Sequence, residues 1–221
     1  MSHEEPISQE AFRQKLLAEI PSWYRPYLHL ALPSLFGLAA VFWGLMRLQD
    51  IQWWEWLFFP ASYVFANMLE WVAHKQLLHT RRFWAVPLYE QHTPMHHRVY
   101  TTEKMNMQDP REFRLILLPP YGIGLIPVIS LPITLLLRNL VSPNAGWIFL
   151  VTAMAYVVGY EWLHLSYHLP EGHPIGRLSL IRRLSHHHAI HHNPALMQRW
   201  NMNVTIPLWD WVMGTIYRQK Q

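Results

Sequence analysis

Four stretches of this chain are apolar over roughly the 20 residues that a membrane-spanning helix needs. The segments between them are polar and rich in histidine. The first stretch runs from about Tyr27 to Leu48. The second runs from about Trp53 to Val72 and opens on Trp53-Trp54-Glu55-Trp56, a cluster suited to an interfacial aromatic belt. The third, about Phe113 to Leu137, carries Pro119, Pro120, Pro127 and Pro132 and is expected to kink or re-enter. The fourth, about Ala145 to His168, ends in Glu161-Trp162-Leu163-His164-Leu165-Ser166-Tyr167-His168. Ahead of them, Ser8 to Ile20 reads as a short amphipathic helix ended by Pro21. The pattern predicts an all-α integral membrane protein with about four transmembrane helices and a cytosol-facing, helical, histidine-rich cap. A cytosolic segment over 1–25 is expected to precede a single domain over 26–221.

Composition agrees with a membrane protein. Hydrophobic residues make up 51% of the chain and charged ones 14%, whereas soluble domains average roughly 25% charged. The absence of cysteine excludes disulfides, Cys-based zinc sites and thiol catalysis, and leaves His and carboxylates as metal donors. A net charge of +4 with 12 Trp suits a membrane surface better than nucleic acid, and no nucleic-acid motif or Gly-rich phosphate loop is present. The basic residues lie before the first span (Arg13, Lys15, Arg25), between the second and third, and after the fourth as far as Arg218 and Lys220. Only Arg47 and Arg138 fall in the two opposite loops. The positive-inside rule then puts both termini and the long middle loop in the cytoplasm, as in a bacterial inner membrane or the endoplasmic reticulum. The opening residues lack a basic stretch followed by an apolar core, so no signal peptide is expected. They are also too few for a fused electron-transfer domain.

Every histidine cluster falls on that cytoplasmic side. The clusters are His74/His79, His92/His96/His97, His164/His168 and His188/His191/His192. Imidazole is the commonest protein metal ligand, and ten in such spacings suit two metals. Residues four apart share a helix face, so His164/His168, His92/His96 and His188/His192 each read as a two-donor grip. His74 and His79 are five apart, which a regular helix does not align, so the helix is expected to end or distort there. Adjacent residues diverge by roughly 100°, so an HH doublet can serve two metals, or one metal and a partner group. In the last cluster His187 is the alternative register to His188, with His186 and the remaining one of the pair as surface or supporting residues. His3, His29 and His173 read as bystanders. Glu70 and Glu161 precede histidines by four and three residues and are read as acceptors that fix an imidazole N–H. Asp109 and Asp210 are further candidates for that role. Asn203, in the tail Asn201 to Trp211, reads as a cap over the site or a holder of metal-bound water.

These clusters, in order and nearly in spacing, resemble the signature of the fatty acid hydroxylase superfamily of membrane di-iron oxygenases, which includes sterol desaturases. His96-His97-Arg98 followed by Asp109 and Pro119-Pro120 is similar to it. So are His188-Ala189-Ile190-His191-His192-Asn193-Pro194 and Asn203-Val204-Thr205-Ile206-Pro207-Leu208-Trp209-Asp210. The resemblance covers about residues 55 to 217. It implies a lipid hydroxylase or desaturase that holds two iron ions and uses O2 and two electrons, with the ten clustered histidines as metal ligands. A fatty acyl chain is the expected substrate, and a sterol or carotenoid ring the alternative. Zinc is able to replace iron in purified protein. Some relatives carry a fused cytochrome b5 domain with a His-Pro-Gly-Gly haem motif. None occurs here, so a separate donor of ferredoxin or cytochrome b5 type is implied. From other classes, a metal transporter would place polar residues near mid-membrane, and a zinc hydrolase would show H-E-x-x-H. The spans carry few of the former, and the latter is missing.

Overall fold

A computed structural model describes residues 7–218, apart from the side chains of Pro120, Tyr121 and Ile123. His3 and Lys220 lie outside that range. The described residues are helical, with one isolated bridge between Thr101 and Lys104. The helices are α1 (Gln9–Glu19), α2 (Pro26–Met46), α3 (Phe58–Ala73), α4 (Val86–Glu90), α5 (His97–Val99), α6 (Phe113–Ile116), α7 (Pro120–Leu140), α8 (Pro143–Tyr167), α9 (Ser179–His191) and α10 (Leu208–Val212).

The apolar stretches become α2, α3, α7 and α8, with two starts moved: the second opens as a 3-10 turn over Trp53–Leu57, so α3 begins at Phe58. The third begins at Pro120 rather than Phe113: Phe113–Ile116 is a separate turn of helix, and Leu117 and Pro119 are extended. The cause is the Pro119-Pro120 pair, because a residue before proline is pushed out of the helical region. Pro120 then sits in the first turn of α7, where its missing N–H costs nothing. Pro127 and Pro132 lie inside α7 without ending it. Among the described residues, two helices, α2 and α8, are long and apolar enough to cross a membrane. The 16-residue α3 and the apolar part of α7, Gly124–Leu140, are shorter.

α8 is the central post, with α2, α3 and α7 packed around it. Ser142 caps its start, and Pro143 occupies the first turn. α2 reaches it through small residues. A Cβ on Gly37 would meet Val158 Cγ2 at 2.5 Å, and one on Gly44 would meet Val151 Cγ2 at 2.6 Å. Small residues of this kind let helix backbones approach closely. Gly146 does the same for α7, since its Cβ would lie 2.5 Å from the Thr134 carbonyl oxygen. At the end remote from the histidines, buried Glu55 accepts from the Gln52 N–H and from Asn144 Nδ2, each at 2.8 Å, and ties the start of α3 to α8. The outer faces of α2 and α7 stay apolar and exposed, with Leu35, Phe42, Val128 and Leu136 among their exposed residues.

Beyond the other ends of α3 and α8, the polar segments fold into a cap. Its core joins Leu16 of α1 to Val99, Tyr100, Met105, Phe113, Leu115 and Leu165. α1 has Ser8 as its N-cap and sends Arg13 into this core.

Candidate metal centre

The ten clustered histidines are all buried, and the backbone sorts them in a way their spacing alone does not. α3 continues into a π-helix, His74–Leu78, in which the His79 N–H donates to the His74 carbonyl at 3.0 Å. A second π-helix, Gln91–His96, ends with the His97 N–H on the His92 carbonyl. A π turn holds five residues per hydrogen-bonded step where an α turn holds four. It therefore brings His74 together with His79, and His92 together with His97. The expected His92/His96 grip does not form, because the wider turn rotates His96 away. The distortion expected at His74/His79 is this π segment.

Nine imidazoles fall into two groups that could each hold a metal ion. One contains His74, His79, His92, His97 and His191; the other contains His96, His168, His188 and His192. Within each, the potential donor atoms lie within 4.8 Å of one another. Both HH doublets, His96-His97 and His191-His192, are split between the groups, so each doublet straddles the pair of sites. His164 stands beside the second group, with ring centroids 5.0 Å from His96 and 4.9 Å from His188, and neither of its nitrogens has a hydrogen-bond partner. His188 is fully buried in this group, while His187 is half-buried and directs Nε2 to Asp210 Oδ2 at 3.2 Å.

Ring orientation tests whether these residues suit a metal. Nδ1–H donates to a backbone carbonyl in His96 (Leu115, 2.9 Å), His168 (Met105, 2.8 Å), His191 (Trp200, 2.9 Å) and His192 (Tyr100, 2.7 Å). His74 donates to Met202 in the same way. His79 Nδ1 lies 3.3 Å from Thr93 Oγ1, whose own proton goes to the Leu78 carbonyl. With Nδ1 protonated, a neutral ring presents only a lone pair at Nε2. Yet His79 Nε2 lies 3.1 Å from His74 Nε2 and 2.9 Å from His191 Nε2. Three lone pairs thus converge with no proton between them, an arrangement that a cation resolves. The spacing also fits, because adjacent donors on a metal with bonds of about 2.1 Å lie about 3 Å apart. In the other group, His96 Nε2 and His168 Nε2 are buried and unpartnered. Burial, reinforced by neighbouring imidazoles, holds His79 down to about 2 and keeps His97 and His192 well below the usual histidine range. The rings are therefore neutral and able to donate at physiological pH.

Glu70, Glu161 and Asp109 do other work than expected, whereas Asp210 does accept from an imidazole, that of His187. Glu161 accepts the Leu118 N–H at 3.2 Å, not an imidazole. Glu70 accepts from the Val204 and Thr205 N–H groups, Thr205 Oγ1 and Tyr156 Oη, and so moors the tail to α3. Asp109 caps the turn at Arg111 on the surface. The Asn203 side chain spans from the Asn67 carbonyl to the Asp210 N–H, each at 3.0 Å. Asp210 accepts from the N–H groups of Met202 (2.9 Å) and Asn203 (2.8 Å) and from Thr215 Oγ1 (2.6 Å). It thereby fixes the Met202 carbonyl that orients His74. Between the two orienting carbonyls of Trp200 and Met202 sits Asn201, at φ 55°. Asn tolerates this left-handed backbone better than most residues, and the turn aims both carbonyls at the five-histidine group. Orientation by backbone carbonyls leaves no mark in side-chain identity. The left-handed Asn is the one signal that pointed to it.

An apolar cavity of about 260 Å³ lies between α3, α7 and α8. It runs from Phe65 and Phe149 to Glu70, His74 and Tyr160. A smaller space of about 20 Å³ shares Leu78, Leu88, Leu118 and Tyr160 with it and is also lined by His92 and His164. The cavity thus reaches the five-histidine group at His74, and the smaller space beside it touches His92 of that group and His164.

The chain's fold is similar to that of full-length scs7p, in which only the hydroxylase domain is visible, with a TM-score of 0.57 and 18% identity over 87% of this chain and 67% of that one. No curated protein sequence matches significantly. The model of the fatty acid hydroxylase family matches residues 59–215, which hold all ten clustered histidines and the cavity beside them. The chain belongs to the fatty acid hydroxylase family.

Proposed function

We propose that this protein is a membrane-embedded non-haem di-iron hydroxylase acting on a fatty acyl chain. Family membership makes it a hydroxylase-type oxidoreductase. The observation that carries the finer reading is the apolar cavity that ends at His74, a member of one of two adjoining groups of buried imidazoles. His74, His79, His92, His97 and His191 would hold one metal ion; His96, His168, His188 and His192 would hold the other, with His164 beside it. Iron bound there would supply the redox chemistry for hydroxylating an unactivated C–H bond: two electrons from an external donor of ferredoxin or cytochrome b5 type, with O2 and two protons, would put one oxygen atom into the C–H bond and release the other as water.

The chain's own tasks follow from its geometry. The backbone carbonyls of Tyr100, Met105, Leu115, Trp200 and Met202 hold the rings with Nε2 inward. Such supporting contacts govern metal affinity in histidine sites. Leu78, Leu88 and Leu118 line the neck and exclude water from the imidazoles. The cavity follows α3 from Phe65 to His74, about 13 Å at 1.5 Å per residue. Spread over that length, about 260 Å³ suits one slender chain better than a fused ring system. The exposed apolar faces of α2 and α7 support a position for these helices in a bilayer. The basic loops share the histidine end, which supports a site on the cytoplasmic face. A chain would then enter from the membrane with its reacting carbon at the polar end of the cavity.

The test combines metal analysis with lipid mass spectrometry. Purified protein should hold about two metal ions per chain. Cells expressing it with iron and a competent donor should accumulate a hydroxylated fatty acyl lipid. Metal-replete protein that yields no O2-dependent product from any acyl lipid would overturn the reading. A hydroxylated sterol or carotenoid in its place would reassign the substrate. Ala153 lines the cavity near Phe149, so Ala153→Phe should cut turnover of long chains by about tenfold or more and spare shorter ones. Equal loss across chain lengths would remove the cavity from the acyl path.

A further inference from the structure

Arg13 lies outside the residues that match the family model, yet its side chain is only 2% exposed. Its Nη1 donates to Glu112 Oε2 at 2.9 Å and to the Asn106 carbonyl at 3.3 Å, and its Nη2 donates to the Val99 carbonyl at 3.4 Å. Each contact falls close to a carbonyl that aims an imidazole. Val99 precedes Tyr100, whose carbonyl accepts from His192. Asn106 follows Met105, whose carbonyl accepts from His168. Glu112 leads into α6, where the Leu115 carbonyl accepts from His96. Glu112 is itself fully buried and closes the clamp by accepting from Tyr100 Oη at 2.6 Å and from the N–H groups of Gln108 (2.9 Å) and Asp109 (3.0 Å). His96, His168 and His192 are three members of the four-histidine group. The supports of the other group, at Thr93, Trp200 and Met202, lie on different segments.

We propose that Arg13 is a positioning residue for the four-histidine metal site. Its guanidinium ties together the three backbone segments that aim His96, His168 and His192, and leaves the five-histidine site to other supports. The N-terminal helix is then a working part of the metal centre. This proposal rests on the dinuclear reading above.

The test measures Zn(II) binding to the full chain, purified in detergent, by competition with a chromophoric chelator. Wild type should bind two ions. Arg13→Met should keep one site at wild-type affinity and weaken the other by about 10–100-fold, the usual effect of losing a support behind metal-binding histidines. Arg13→Lys, which keeps the charge but not the fork, should fall between. Leu16 sits in the same core, 7% exposed, so Leu16→Ala loosens α1 without touching the clamp and should keep both sites. In a His188→Ala background, where the four-histidine site is already disabled, Arg13→Met should cost no further affinity. Two unchanged sites in Arg13→Met, equal weakening of both, or the same selective loss in Leu16→Ala would overturn the proposal. If Arg13→Met does not fold, Arg13→Lys and Tyr100→Phe carry the test, and unchanged affinity in both refutes it. A wild-type chain that binds no pair of ions would instead refute the dinuclear reading, and the proposal with it.

Discussion

Replacing His192 by alanine is expected to reduce O2-dependent hydroxylation at least about 10³-fold, to background in a lipid mass-spectrometric assay at saturating iron. His192 is fully buried, with Nε2 3.0 Å from His188 Nε2, and its ring stacks on His97 of the other group at 4.2 Å between centroids. Alanine removes one of the four donors of its group and opens a space beside both sites. A metal centre contributes several kcal/mol to a transition state, and each 1.36 kcal/mol is tenfold in rate, so three decades is a lower bound. The matched control is His173→Ala. His173 is partly exposed and accepts only the Ile175 N–H, at 3.3 Å, so its loss should leave turnover within about twofold of wild type. Activity in His192→Ala above a tenth of wild type, with metal bound, would remove this ring from the centre.

The largest effect on stability is expected at Asp210. Alanine there strands the Met202 and Asn203 N–H groups and Thr215 Oγ1 in a region where Met202, Asn203 and Asp210 are all fully buried. Breaking a buried, hydrogen-bonded charge network costs about 3–5 kcal/mol. For a chain of this size that is a fall in melting temperature on the order of 10 °C. The same change frees the turn at Asn201, so the carbonyls of Trp200 and Met202 no longer hold His191 and His74. Loss of metal should therefore accompany loss of stability, and should fall on the five-histidine group. Thermal unfolding in detergent with and without added metal reads both quantities. A variant that melts like wild type and retains its full metal content would show that the tail does not support the site.

The identities of the converging histidines were legible in the sequence, but spacing did not separate His188 from His187, since each has a histidine four residues on; the full burial of His188 does. The approximate positions of the apolar helices were legible too from hydropathy, though the Pro119-Pro120 pair moved the start of α7. The division of the donors was not. His96 and His97 go to different groups because the preceding turn is π rather than α, and residue identity carries no mark of that. Glu70 and Glu161 were placed near the histidines by spacing, but hydrogen-bond partners depend on which backbone passes by. For Glu70 that backbone is the tail at Val204 and Thr205, more than 130 positions away in sequence. Arg13 and Glu112, 99 positions apart, looked like ordinary members of charged segments. Only their burial against each other reveals the clamp.

The two π-helical segments make the coordination number of the first site a matter of helical pitch. Each brings in a histidine that a regular helix would turn well away, since residues five apart diverge by about 140° at 100° per residue. Were His74–Leu78 and Gln91–His96 wound as α-helix, His79 and His97 would be drawn out of register with His74 and His92, and the five-membered set would lose two donors. The wider turn is rare and tends to appear at functional sites. Here the pitch of two short segments decides how many imidazoles the first group gathers.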